Sequence, residues 1–174
     1  MLIGLFVYCY VCALLYAIMH YAYIANVAQV LPMPKWRWLY YLLSFTWGLP
    51  MNIIGGIVAI VQLCKGRRPR KYGWCWCFEL PVNYGLDLGI FFIAPINGSA
   101  YIKNHELGHS IQNVHFGPFT IGVSFVPSAI RYQVRNMQKK RGRALPAYDD
   151  IWFEGQATKS GEKFMEDKQE KERD

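Results

Sequence analysis

His105, Glu106 and His109, within the stretch NHELGHSIQN, have the types and spacing for hydrolytic metal chemistry. On an α-helix, positions four apart stand one turn above each other, so both imidazoles can direct a nitrogen at one zinc ion, Zn2+. Glu106 then points sideways, toward a water on the metal. Zinc lowers the pKa of such a water to about 7. A neighbouring glutamate can take its proton as it attacks a carbonyl, then hand that proton to a leaving amine. The pattern therefore fits cleavage of a peptide bond in a protein or peptide substrate, with Glu106 as the catalytic base and His105 and His109 as metal ligands.

A catalytic zinc commonly has three protein ligands and one open position. Few residues can supply the third, because before residue 149 the only acids are Glu79, Asp87 and Glu106. His115 lies six residues past His109, off the shared helix face and beside Gly117-Pro118. Asp149 and Asp150 fit helix caps better than ligands. Glu154, with Ala157 three residues on, falls on what reads as a second helix able to lay a small face against the first. On the residues alone, Glu154, Asp150 and His115 all remain open as the third ligand.

Together, HELGH and the downstream Glu154-x-x-Ala157 resemble the gluzincin arrangement of integral membrane metallopeptidases. With GP, PSAIRY and IWFEGQAT added, the chain is similar over residues 86–161 to an uncharacterised family of small bacterial membrane proteins bearing this motif. The resemblance implies a metallopeptidase whose third zinc ligand is Glu154. It also implies an edge strand beside the active helix, here in LDLGIFFIA from Asp87 through residues 89–93, holding substrate by backbone hydrogen bonds. Thr158 stands where gluzincins often carry Asp, so Asp149 and Asp150 are the candidates to substitute as the carboxylate that orients a ligating histidine.

The elements that must position these residues are membrane-like. The chain has 174 residues, 53% of them hydrophobic, and residues 1–34 contain no Asp, Glu, Lys or Arg. Residues 38–64 form a second charge-free run, of 27 residues. Each exceeds the roughly 20 needed to cross a bilayer, so the expected fold is a mainly α membrane protein with two N-terminal transmembrane helices. No Lys or Arg precedes the first run, which reads as a retained span rather than a signal peptide. Pro50, Gly55 and Gly56 predict a kink or close packing in the second span, with Asn52 seeking a partner inside it.

Residues 72–95, rich in aromatic and β-branched types, predict a short β-hairpin turning at 81–85. Asn97, Gly98 and Ser99 predict a helix start and Gly117-Pro118 its end, giving a motif helix over 100–114. The chain then divides into a transmembrane hairpin with basic loop at 1–71, an interfacial zincin-like region at 72–161 and a charged tail at 162–174, expected as a frayed solvated helix. The five cysteines are odd in number and form no disulfide framework. Cys64, Cys75 and Cys77 lack zinc-knuckle spacing and read as packed or interfacial residues. His20 reads as an interfacial hydrogen-bonding group.

The net charge of +7 is concentrated in residues 65–71 and 131–143, beside apolar runs. That distribution marks topology and anionic lipid headgroups rather than nucleic acid. The positive-inside rule places both basic stretches, the amino terminus and the motif helix on the cytoplasmic side of a bacterial plasma membrane. The segment 116–130, broken by prolines, is then expected to lie in the interface or re-enter the membrane. Two other functions fit the same residues: a catalytically silent membrane adaptor, and a hydrolase of an ester or lipid amide. The intact Glu106 weighs against the adaptor, because a structural metal site needs no base.

Overall fold

The computed structural model describes residues 2–173. The chain is mainly helical with one small mixed sheet. Helix α1 (Leu2–Ile24) is continuous and apolar. It ends where Asn26 adopts a left-handed φ of 59°. There the Val27 N–H reaches back to Ala22 O at 2.9 Å and the Asn26 N–H to Tyr23 O at 3.1 Å, a Schellman closure that satisfies the last carbonyls.

The second charge-free run is not one straight helix. Helices α2 (Arg37–Phe45) and α3 (Leu49–Cys64) meet at 90°, so of the described helices only α1 is by itself long and apolar enough to cross a membrane. The break falls at residues 46–48, ahead of the expected kink. Pro50 sits in the first turn of α3, where its missing N–H costs nothing. Asn52 braces the corner: its amide nitrogen donates to Ser44 O at 2.7 Å and Gly48 O at 3.0 Å, while its oxygen accepts from the Ile90 N–H at 2.7 Å. Gly55 packs against the Leu88 backbone, where a Cβ would collide.

The expected hairpin is instead a four-stranded sheet. Strands β1 (Arg70–Tyr72), β2 (Cys75–Leu80), β3 (Leu86–Leu88) and β4 (Phe91–Pro95) lie in the order β1-β2-β4-β3. Residues 81–85 do not form a hairpin turn, because β4 inserts between β2 and β3, parallel to the former and antiparallel to the latter. The tight turn is at Gly89-Ile90, where Gly89 takes a φ of 81° that only glycine adopts without strain. The edge beside the motif helix is therefore β3 with Asp87; residues 89–93 all belong to the turn and the interior strand.

Helix α4 (Ala100–Phe116) carries the motif, with Ser99 accepting from the Ile102 N–H at 3.5 Å as its cap. Residues 105–114 are buried on every face, as befits a helix walled by the sheet, by α2 and by α6 (Trp152–Lys171). Between α4 and α6 come a short 3-10 turn, a π turn over Ile121–Phe125, α5 (Val126–Lys140) and a second 3-10 turn over Tyr148–Asp150. Cys75 and Cys77 are packed in the core with Tyr40, Phe92 and Leu107. Trp152 and Phe153 anchor α6 against α1 through Cys12 and Tyr16. The segment 162–171 continues α6 rather than forming a separate tail.

The small face expected downstream of Glu154 is real. A Cβ on Gly108 would collide with the Ala157 carbonyl, and one on Gly161 with the Asn104 carbonyl, so α4 and α6 touch backbone to backbone. Gly108→Ala should destabilise by about 1–3 kcal/mol as an overpacked contact. Gly56→Ala, facing open space on α3, should be neutral or stabilising by up to ~1 kcal/mol. Thermal melting of both variants in the same detergent checks the contrast. Equal melting would mean the helices are not in contact at Gly108.

Candidate metal centre

Helix α4 delivers His105 and His109 to one face, and the first turn of α6 delivers Glu154 against it. The two Nε2 atoms are 3.1 Å apart. Glu154 Oε2 lies 3.0 Å from that of His105 and 3.2 Å from that of His109. Ligand atoms about 2.0 Å from one zinc at the tetrahedral angle stand roughly 3.3 Å apart, so this near-equilateral triangle has the spacing of three ligands closing on one ion. All three residues are buried, and Glu154 is 0% exposed. Its second oxygen, Oε1, is buried without a hydrogen-bond partner. The residues thus form a group that can hold a metal ion.

The remaining imidazole nitrogens are held from behind. Gln112 spends its amide N–H groups on Phe153 O at 2.8 Å and Gln156 Oε1 at 3.0 Å. Its oxygen therefore faces His109 Nδ1 at 2.9 Å, and Ser124 Oγ donates to that same oxygen at 2.8 Å. An oxygen can only accept, so Nδ1 carries a proton, and once the proton on Nε2 is displaced that nitrogen's lone pair is free for a metal. His105 Nδ1 lies 2.8 Å from Thr158 Oγ1. Thr158 and Gln112 thus orient the histidines, a role that the sequence reading assigned to Asp149 or Asp150. Asp149 instead accepts from the Tyr101 hydroxyl at 2.5 Å, and Asp150 is exposed.

His115 does not join the cluster. Its ring is spent on Pro32 O at 2.9 Å, because a further six residues carry it to another side of α4. His20 is exposed on α1, and neither it nor any cysteine belongs to the group of possible metal ligands.

A cavity of about 340 Å³ opens beside the ligands. Glu106 lines it next to Gly85, where any side chain would overlap the glutamate carboxylate. Burial raises the Glu106 carboxyl above its ordinary value against the pull of both histidines. Burial also pushes Asp87, on β3, well above the usual carboxylate range. Tyr148 contributes a wall with its ring 5.8 Å from that of His105. It is pinned there by Arg131, which donates to Ala147 O and Tyr148 O, and by Arg135, which donates to Pro146 O. Burial and the charge of Glu154 raise its hydroxyl pKa, so it stays protonated. Sequence reasoning missed Gln112, Ser124, Thr158 and Tyr148. Two left a signal: Gln112, three residues past His109 on the same helix face, and Thr158, at the position where gluzincins often carry Asp.

No protein-family profile matches the chain, and no curated protein or solved structure does either.

The metal-free centre is a buried ion pair. Burial opposes charge on His109, but the hydrogen bond to Glu154 and the charges of Glu154, Glu106 and Asp87 prevail and lift its pKa to about 9. Burial likewise opposes ionisation of Glu154, but hydrogen bonds and charge from His105 and His109 hold it far below the usual carboxylate range. The His109 contribution to stability is complete below its ordinary 6.5 and lost as pH rises through about 9. That of Glu154 is present above its ordinary 4.5 and lost as pH falls through its depressed value. A metal must displace the His109 proton, so zinc loading at pH 7 should release about one proton. Gln112→Leu should weaken zinc binding by roughly 10–100-fold. Calorimetric titration in buffers of different ionisation enthalpy checks both; zinc uptake without proton release would contradict this electrostatic account.

Proposed function

We propose that this chain is a membrane-anchored zinc metallopeptidase. The observation that carries the reading is the convergence of His105, His109 and Glu154 in a buried triangle, with Glu106 beside it on the wall of a cavity large enough for a ligand. Zinc held by those three residues would supply Lewis acidity at a substrate carbonyl and favour ionisation of water. Two imidazoles and one carboxylate make a donor set suited to zinc.

The chain's own groups account for the rest of the chemistry. Glu106, its carboxyl raised by burial, is poised to take a proton from the attacking water and return it to the leaving amine. The protonated Tyr148 hydroxyl is available to donate a hydrogen bond to negative charge developing on the carbonyl oxygen. Gln112 holds His109 in the tautomer that ligation requires, and Thr158 helps orient His105. A silent adaptor would have no use for a buried base against an open cavity.

Three surfaces support a place in a membrane. Leu5, Phe6, Leu14 and Ile18 of α1 are exposed, as are Ile53, Ile57 and Ile60 of α3. An apolar surface of this extent marks contact with lipid or with a partner. On α5, Val126, Ile130, Val134 and Met137 are exposed at helical spacing, and Lys139, Lys140, Arg141 and Arg143 follow. Such a helix fits the plane of an anionic headgroup layer. The basic segments favour the cytoplasmic side, with protein or peptide substrates reached there.

Glu106→Gln should leave zinc content unchanged while slowing hydrolysis by ~10²–10⁴-fold. Proteomics of membranes carrying wild-type or Glu106→Gln protein should show a substrate accumulating uncut in the variant. Purified protein without stoichiometric zinc, or undiminished hydrolysis by Glu106→Gln, would overturn the proposal.

A further inference from the structure

The cavity contains a carboxylate that the proposed hydrolysis does not use. Asp87 is 6% exposed and lines the cavity from the edge strand β3. Its Oδ2 accepts from the Gly89 N–H at 3.3 Å, whereas Oδ1 is buried without a partner. Thr120, 2% exposed, lines the same cavity, and its Oγ1 is also buried without a partner. Folded proteins pair nearly all such groups, so two orphans on the wall of one cavity call for a ligand that completes them. Ser124, on the same wall, is already spent on Gln112.

The chemistry of that ligand follows from charge. Among the described residues no Lys or Arg lines the cavity, and His109 there is already paired with Glu154, so an anionic ligand would find no free cationic side chain and would meet Asp87 and Glu106. A buried carboxylate without a cation is costly. An ammonium group offers three donors and the missing charge, and a threonine oxygen can accept from it as well. Met51, Leu86, Phe125 and Ala129 make the rest of the lining largely apolar.

We propose that Asp87 and Thr120 form a subsite for a primary ammonium group, so that the site takes peptides by a free amino terminus bearing an apolar side chain. This deepens, and rests on, the peptidase reading. Asp87, Glu106 and His109 line the same cavity, which places the amine near the reacting carbonyl and makes the reaction class trimming from the amino end rather than internal cleavage.

The test is binding without turnover, using metal-free full-length protein in detergent. Leucyl-phenylalaninamide and its N-acetyl form are titrated calorimetrically. The free amine should bind at least ~10-fold tighter, a difference of about 1.4 kcal/mol. Asp87→Asn, which keeps an oxygen for the Gly89 N–H, should remove the preference by weakening only the free amine. Thr120→Val should reduce it, which guards against a folding defect peculiar to Asp87→Asn. Equal binding of the two peptides, binding of neither, or a preference surviving Asp87→Asn would overturn the subsite. If the amine preference holds but the zinc-loaded protein cuts neither peptide, the subsite stands and the peptidase reading falls.

Discussion

The site depends on how closely α4 and α6 approach. His105 and His109 ride on one helix and Glu154 on the other, and their ligand atoms converge to 3.0–3.2 Å. That is achieved only because Gly108 meets Ala157, and Gly161 meets Asn104, with no side chain between the backbones. A single methyl at Gly108 would push the helices apart and open the triangle. The packing of Trp152 and Phe153 against α1 holds the start of α6 in place, so the apolar N-terminal helix supports the polar centre. Gln112 adds a cross-tie, since the amide that orients His109 also donates to Phe153 O on α6.

This packing buries charge at a cost that only pairing or a metal offsets. Glu154, Glu106 and Asp87 are three carboxyl groups around two imidazoles, and no Lys or Arg lines the adjoining cavity. Without a metal, His109 and Glu154 neutralise each other. Glu106 and Asp87 are shifted toward their neutral forms by burial. The centre is thus short of positive charge, the condition under which a divalent cation and a cationic substrate group both bind favourably.

Much of the site was legible in the sequence because its chemistry is local. HELGH needs only one helix turn to align its histidines, and Glu154-x-x-Ala157 announces both a member of the group that can hold a metal ion and a small contact face. The helix start at Ser99 and the stop at Gly117 were equally local. What was not legible depends on distant partners. The corner between α2 and α3 is braced by Asn52, whose acceptor is satisfied by Ile90 in the sheet turn, so a charge-free run alone reads as a straight span. The insertion of β4 between β2 and β3 is a tertiary choice that strand propensity does not record. Gln112 and Thr158 are ordinary polar helix residues until the α4–α6 contact brings Gln112 to Phe153 and Thr158 to His105.

The central claim is that two imidazoles and one carboxylate of this chain bind one metal ion. Zinc X-ray absorption of the full-length protein loaded with one equivalent tests it most directly. The account predicts a shell of nitrogen and oxygen ligands at about 2.0 Å with the scattering pattern of two imidazoles, falling to one in His109→Ala. A sulfur ligand at about 2.3 Å, or a spectrum unchanged by His109→Ala, would contradict it.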